Sequence, residues 1–266
     1  MKCRHCRASA LDGSYSGELS TAECRLVLDS LAVFKPMIIW TGGEPMTRED
    51  LPELVGYATS LGVRSVLAPC GMLVTEEKLR VLKDAGVMAC SFSVDGPDRY
   101  VHDSFRGVAG AWDSVHAAMS VARVVGMPFQ VNTVVRSGSL PDLDSIYANA
   151  MAAGASRLDL FFLVPTGRGR LIDSCVPGDA EVKAAIEWAK DKKVKLTCCP
   201  QAGTCIGGRG FAFISHTGTL QTCGFVQKPC GNVRDFNFNF SRLIESAENP
   251  LGVYGNCRTD ASGLSK

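Results

Sequence analysis

Two cysteines three positions apart open the chain, Cys3 and Cys6 in Met1-Lys2-Cys3-Arg4-His5-Cys6-Arg7. Paired thiolates at that spacing can grip one metal centre from a single turn, a property shared by iron–sulfur sites, zinc knuckles and redox pairs. The second candidate is Thr41-Gly42-Gly43-Glu44-Pro45. Its glycines let backbone approach a ligand closely, and Glu44 can accept hydrogen bonds from an ammonium group, although an ordinary strand-to-helix turn reads the same way. A third candidate lies far along the chain, where Cys198, Cys199, Cys205, Cys223, Cys230 and Cys257 make up half of the twelve cysteines. Metal sites at both ends would account for that distribution, whereas Cys24, Cys90 and Cys175 read as small buried hydrophobes.

Periodicity supplies the elements that must position these groups. From residue 20 to residue 199, apolar β-branched runs alternate with capped amphipathic segments, the pattern of repeated βα units. Ser20 and Glu23 form a capping box ahead of a helix carrying Leu26, Val27 and Leu31 on one face. Strands are expected at 37–40, 63–67, 87–94, 128–135, 157–164 and 194–197. The helices between them are expected from a Thr47 cap through Tyr57, from a Thr75 cap to Gly86, and at 111–125, 140–153 and 180–190. Parallel strands with right-handed crossovers form either an open doubly wound sheet or a barrel. In both, the loops at the carboxyl ends of the strands hold the chemistry. Here those loops are Thr41 to Pro45, Pro69-Cys70-Gly71, Asp95-Gly96-Pro97 and Pro165-Thr166-Gly167-Arg168-Gly169, a polar, glycine-rich rim.

After Pro200 the pattern shortens to Phe211–Ser215, a Thr217-Gly218 turn, Leu220–Cys223 and a helix near Phe240–Ala247. A boundary near residue 198 is expected, giving units 1–197 and 198–266. Twenty-eight Lys and Arg against 27 Asp and Glu leave a net charge of +1 with no basic block, so neither nucleic acid nor an anionic membrane is implied as partner. No apolar run reaches the length of a membrane span and the N-terminus has no secretory pattern, so a cytoplasmic enzyme with thiols rather than disulfides is expected. A Gly-x-Ser-x-Gly elbow and a His-Glu-x-x-His pair are both missing, which disfavours an ordinary hydrolase or aldolase barrel.

Cys-x2-Cys before a capped helix, Gly-Gly-Glu-Pro after the strand at 37–40, and Ser93-x-Asp95-Gly after the strand at 87–94 together resemble the radical S-adenosylmethionine enzymes. The resemblance implies an α/β fold, a partial (β/α)6 barrel of the TIM type. It implies a [4Fe–4S] cluster held by a Cys-x3-Cys-x2-Cys loop and chelated by the methionine moiety of S-adenosylmethionine, whose reductive cleavage yields a 5′-deoxyadenosyl radical. Cys3 and Cys6 would be the second and third cluster ligands, with His5 where an aromatic residue usually stands. Gly42, Gly43, Glu44 and Pro45 would form the motif that binds the methionine amino group. Ser93, Asp95 and Arg106 would face ribose and carboxylate, and Leu163 and Val164 would meet adenine. The first cluster ligand and most of the first strand are expected upstream of Met1, through a trimmed or misassigned start; the alternative is a degenerate relative without a working cluster.

Cys205, twelve residues, Gly218, four residues and Cys223 resemble the opening of the SPASM extension, which carries auxiliary iron–sulfur clusters. Cys257 would open its later cysteine series, but Asp260 stands where the next ligand belongs, so a small, truncated SPASM-like module is expected. The wording Cys6 to Ala10, Phe162 to Gly169, Ile214 to Gly218 and Gly231 to Arg234 resembles the subgroup of heme and heme d1 biosynthesis. That implies radical chemistry on side chains of an iron tetrapyrrole, with Arg168 and Arg170 either meeting its carboxylates or lying in a solvated loop, and an electron donor of the flavodoxin or ferredoxin kind. Two other readings stand beside it: a peptide-modifying maturase, and a non-catalytic metal-binding fragment.

Overall fold

The computed structural model describes residues 1–11, 13, 15–197, 207, 210–225 and 229–246. Helix α1 (Thr21–Ala32) starts at its reciprocal cap: Ser20 Oγ accepts from the Glu23 N–H and Glu23 Oε2 accepts from the Ser20 N–H at 2.8 Å. There follow β1 (Met37–Trp40), α2 (Leu51–Ser60), β2 (Arg64–Leu67), α3 (Glu76–Ala85), β3 (Val87–Ser93), α4 (Arg99–Arg106) and α5 (Ala111–Val125). Then come β4 (Phe129–Val135), α6 (Leu143–Ala152), β5 (Leu158–Phe162), α7 (Asp179–Ala189) and β6 (Val194–Thr197). The six strands pair in sequence order, all parallel.

Burial separates the two architectures that periodicity allowed. Trp40, Leu67, Cys90, Phe92, Phe129, Val131, Leu158 and Leu160 belong to one apolar core with the helices, while their alternates Ile39, Val66, Ser93, Asn132 and Thr197 are outside it. A doubly wound sheet would bury both faces. Neighbouring helices α1, α2, α3 and α5 pack side by side on the buried face, so the sheet is a six-stranded half-barrel with its helices outside and a concave inner face.

Two local expectations are corrected. Thr47 does not cap α2: it sits in a short 3-10 turn, Pro45–Thr47, and its hydroxyl donates back to Glu44 O at 2.7 Å, so the helix starts after Asp50. The stretch after Asp95 was expected as loop but contains α4, capped by Asp98 and ended by Gly107 at φ +68°. Its buried side chains are His102 and Arg106, so an apolar repeat never marks it.

The tail forms a three-stranded antiparallel sheet, β7 (Phe213–Ile214), β8 (Thr219–Gln221) and β9 (Pro229–Asn232), followed by α8 (Phe240–Glu245). Gly218 turns between β7 and β8 at φ +86°, where a Cβ would lie 2.7 Å from Val233 Cγ2. Leu220, Cys230, Val233 and Leu243 share a small core with Leu19 and Val27, so the tail packs on the start of α1. Arg234 bolts that contact. Its guanidinium forks onto Glu23 at 2.7 and 3.0 Å and also donates to Gly17 O at 3.1 Å and Glu18 O at 3.3 Å.

Hydrogen bonding from Arg234 holds the Glu23 carboxyl down at about 2, from 4.5. The fork is therefore intact above 4.5 and is lost as pH falls towards 2. Arg234→Ala is expected to speed proteolysis within residues 211–246 at neutral pH without changing the far-UV circular dichroism of the barrel, and acid should reproduce that release in the wild type. Equal cleavage rates for the two proteins would show that Arg234 does not hold the tail.

Candidate active site at the carboxyl mouth of the barrel

The cysteine loop has no strand or helix to satisfy its backbone, and the mouth supplies partners one by one. Cys6 N–H donates to Cys3 O at 3.2 Å, closing the turn that puts both thiols on one loop, and Ala10 N–H points at Cys6 Sγ at 3.5 Å. The outward carbonyls are taken by Arg168: its backbone N–H donates to Cys6 O at 3.0 Å, its Nε to Cys3 O at 2.8 Å and its Nη1 to Ala10 O at 2.6 Å. Such close docking requires glycine beside it. At Gly167, with φ +55°, a Cβ would come within 2.3 Å of Arg7 O. Arg168 is thus not a solvated loop residue: its backbone N–H, Nε and Nη1 serve the loop, its Nη2 is buried without a hydrogen-bond partner among the described residues, and Arg170 stays exposed.

Behind this loop stands a buried ion pair. Arg106 Nε donates to Asp95 Oδ2 at 2.9 Å, and Asp95 Oδ1 accepts from Val134 N–H at 2.9 Å. Burial works to raise the Asp95 carboxyl, but Arg106 and the neighbouring histidines outweigh it and leave it at about 2. Arg106 also holds the loop from its backbone, accepting from Arg4 N–H at 2.8 Å. His5, between the two cysteines, lies 3.8 Å from Asp95 and stacks on Phe105 with ring centres 4.6 Å apart. Burial pushes its imidazole down to about 4, so at neutral pH it is an uncharged ring in a position where the resemblance implied an aromatic one.

The Gly-Gly-Glu-Pro turn lies against the same loop. Gly42 has φ +147°, and a Cβ on Gly43 would sit 3.2 Å from Ala10 Cβ. The Glu44 carboxylate is fixed by two backbone donors, Met46 N–H at 3.0 Å and Cys70 N–H at 2.6 Å, while Pro45 is buried. Cys70 was visible on the rim, but no spacing gave it a part to play. Burial, and after it the Glu44 carboxylate, pushes its thiol up to about 12, so it stays protonated at neutral pH beside Glu44. Ser93 is half-buried on the concave face, and Leu163 and Val164 are buried just past β5, where Leu163 N–H donates to Val135 O at 3.0 Å.

Cys3, Cys6 and Glu44 therefore share one mouth. Two thiols on one turn, an N–H directed at sulfur and a cationic Arg106 nearby form a donor set that suits an iron–sulfur cluster. Among the described residues no group of three or more His, Cys, Asp or Glu is placed to hold a metal ion. Cys205 and Cys257 lie outside the described residues. Cys223 is half-buried in the tail next to Gly224, whose carbonyl accepts from Arg7 Nη1 at 3.3 Å. Arg7 also stacks on Phe213 at 4.7 Å, joining the cysteine loop to the tail.

Arg168→Ala should unfasten the loop without unfolding the barrel: iron and sulfide retained after anaerobic reconstitution and gel filtration are expected to fall well below wild type, with Arg168→Lys intermediate. Unchanged iron content would remove Arg168 from the loop's support. Asp95→Ala leaves Arg106 as an uncompensated buried charge, a loss of about 3–5 kcal/mol. A thermal midpoint lowered by roughly 10 °C is the expected reading. A shift of a degree or less would mean the pair carries little of the fold.

The comparisons agree with this geometry. The family model described as Radical SAM superfamily matches residues 1–142. A protein of Oleidesulfovibrio alaskensis named AdoMet-dependent heme synthase is 37% identical over 97% of this chain and 76% of its own. A protein of Methanosarcina barkeri with the same name is 36% identical over 93% and 79%. Among solved structures, native anSMEcpe with bound AdoMet and Kp18Cys peptide superposes with a TM-score of 0.72 at 15% identity, over 94% of this chain and 78% of that one, a likeness of fold. A half-barrel of six parallel strands, a cysteine loop and a glycine-glutamate turn at its mouth, and relatives whose match covers nearly all of this chain make it an enzyme of the radical SAM superfamily, with S-adenosylmethionine and a [4Fe–4S] cluster as its cofactors.

Proposed function

We propose that the enzyme performs radical chemistry on a side chain of an iron tetrapyrrole, in heme-type biosynthesis. The observation that carries this reading is the span of the likeness: relatives named heme synthase match both the mouth and the tail, not the barrel alone. One electron passed through the cluster to S-adenosylmethionine is the chemistry its cofactors supply, releasing methionine and a 5′-deoxyadenosyl radical.

The chain's own residues act around that event. Cys3 and Cys6 ligate the cluster, and Arg168 and Arg106 hold their loop. Glu44, set by the Met46 and Cys70 N–H groups, accepts from the methionine ammonium, while Gly42 and Gly43 keep the approach clear of side chains and buried Pro45 fixes the turn after Glu44. Ser93 faces the cofactor from the concave wall, with Leu163 and Val164 as the apolar contact for adenine. Asp95 and Arg106 support these groups from behind rather than opening to solvent. The tail, residues 198–266, acts as a SPASM-like cover in which Cys205, Cys223 and Cys257 carry an auxiliary [4Fe–4S] cluster. A flavodoxin or ferredoxin delivers the electron, in the cytoplasm; among the described residues no helix is long and apolar enough to cross a membrane.

After anaerobic reconstitution, reduction in the presence of S-adenosylmethionine should yield 5′-deoxyadenosine, measured by chromatography, most strongly from a version bearing a cysteine four positions ahead of Cys3. Cys3→Ala and Cys6→Ala should each lower that yield at least a hundredfold. Normal yield from either variant would contradict the ligand assignment, and no yield from any version would end the proposal.

A further inference from the structure

The half-barrel's concave wall is divided by chemistry. On β1 the alternates that face away from the helices are Met37 and Ile39, 52% and 41% exposed, and Val66 on β2 and Ala89 on β3 continue them, with Arg64 beside Met37 as the exposed cation at the strip's lower edge. Across the sheet the same face carries a polar row, with Val134, Phe161 and Thr197 as the next row towards the mouth. Ser93, Asn132, Asp159 and Lys195 are direct register partners on four successive strands, β3 to β6, and form one unbroken row. At the usual strand separation that row runs about 14 Å from Ser93, at the cofactor mouth, to Lys195.

Most of the charge along it is already spent. Arg157 Nε donates to Asp159 Oδ1 at 2.6 Å, and Gln130 Nε2 donates to Asp159 Oδ2 at 3.0 Å and to Asn132 Oδ1 at 2.9 Å, a closed network beneath the row. Lys195 has no such partner among the described residues and is exposed. Two positions further along β6, on the same face, Thr197 Oγ1 is buried with no hydrogen-bond partner among the described residues. An uncommitted ammonium beside an uncommitted hydroxyl and the Phe161 ring, at the far end of a wall whose other side is apolar but for Arg64, matches a flat apolar body that carries anionic arms.

We propose that Lys195, with Thr197 beside it, anchors a carboxylate arm of the substrate on the β6 side of the concave wall. This rests on the tetrapyrrole reading above and adds to it which end of the barrel reads the carboxylate. Because Ser93 and Lys195 stand at opposite ends of the row, the anchored arm differs from the arm that reacts. Lys195 is then a specificity residue for polycarboxylate macrocycles, and the apolar strip on β1 to β3 receives the ring.

The probe is metal-free coproporphyrin III, titrated anaerobically into the full chain in the dark and followed by its Soret band and fluorescence. The wild type should bind it, Lys195→Ala roughly tenfold more weakly, and Lys195→Glu more weakly still, while the tetramethyl ester should bind all three proteins alike. Lys195 is exposed, and circular dichroism of the variants checks that they fold. Equal affinity of wild type, Lys195→Ala and Lys195→Glu for the free acid overturns this inference and leaves the tetrapyrrole reading standing. A preference for the free acid over the ester that survives undiminished in both variants overturns it likewise, and places the carboxylate contact elsewhere. Absence of porphyrin binding by the wild type overturns both.

Discussion

The site depends on satisfying the backbone of a loop that belongs to no helix or sheet. Cys3 to Ala10 enter a half-buried mouth with no helix or strand to pair their backbone groups, and such groups are costly to leave without partners. Arg168 answers three of them and Arg106 accepts from a fourth backbone group. A guanidinium suits this because its donors form a rigid fork that reaches several acceptors at once, which an ammonium on a flexible stem cannot reproduce. The thiols are therefore placed by arginines from the far side of the barrel, and Asp95 places Arg106 in turn.

The barrel strands were legible because each is a short, largely apolar run facing a core on one side; of those six, all but β5 begin and end within one residue of where the pattern sets them. What escaped the pattern shows what a hydrophobic repeat measures. Helix α4 turns His102 and Arg106 inward, so its buried face looks polar in sequence. Strand β9, Pro229–Asn232, contains a proline and a glycine and has one buried side chain, Cys230, which leaves too little alternation to read. Of the site, the groups with a fixed spacing, Cys3, Cys6 and the Gly42 to Pro45 turn, stood out at once. Arg168 did not, because its task is set by carbonyls more than 150 positions away and no local pattern encodes that distance. Cys70 was hidden for the same reason: its link to Glu44 spans two strands.

Electrostatics at the mouth separates duties that the sequence left merged. Asp95 and Arg106 had looked like cofactor contacts, and the fold turns them into a closed pair whose partners are Val134, His5 and the loop itself. Glu44 is held by two backbone N–H groups and the protonated Cys70 thiol, with no ion-pair partner among the described residues to compete for its carboxylate.

The contacts between the two ends of the sequence have a kinetic meaning. Arg7 with Gly224, Leu19 with His216 and Glu23 with Arg234 each join residues nearly 200 or more positions apart. Closing loops of that length is the most entropically demanding step available to the polypeptide, so these junctions form after the local βα units have assembled. Residues synthesised early are consequently among the last to find their permanent shape, and the thiol loop matures only once the tail has left the ribosome.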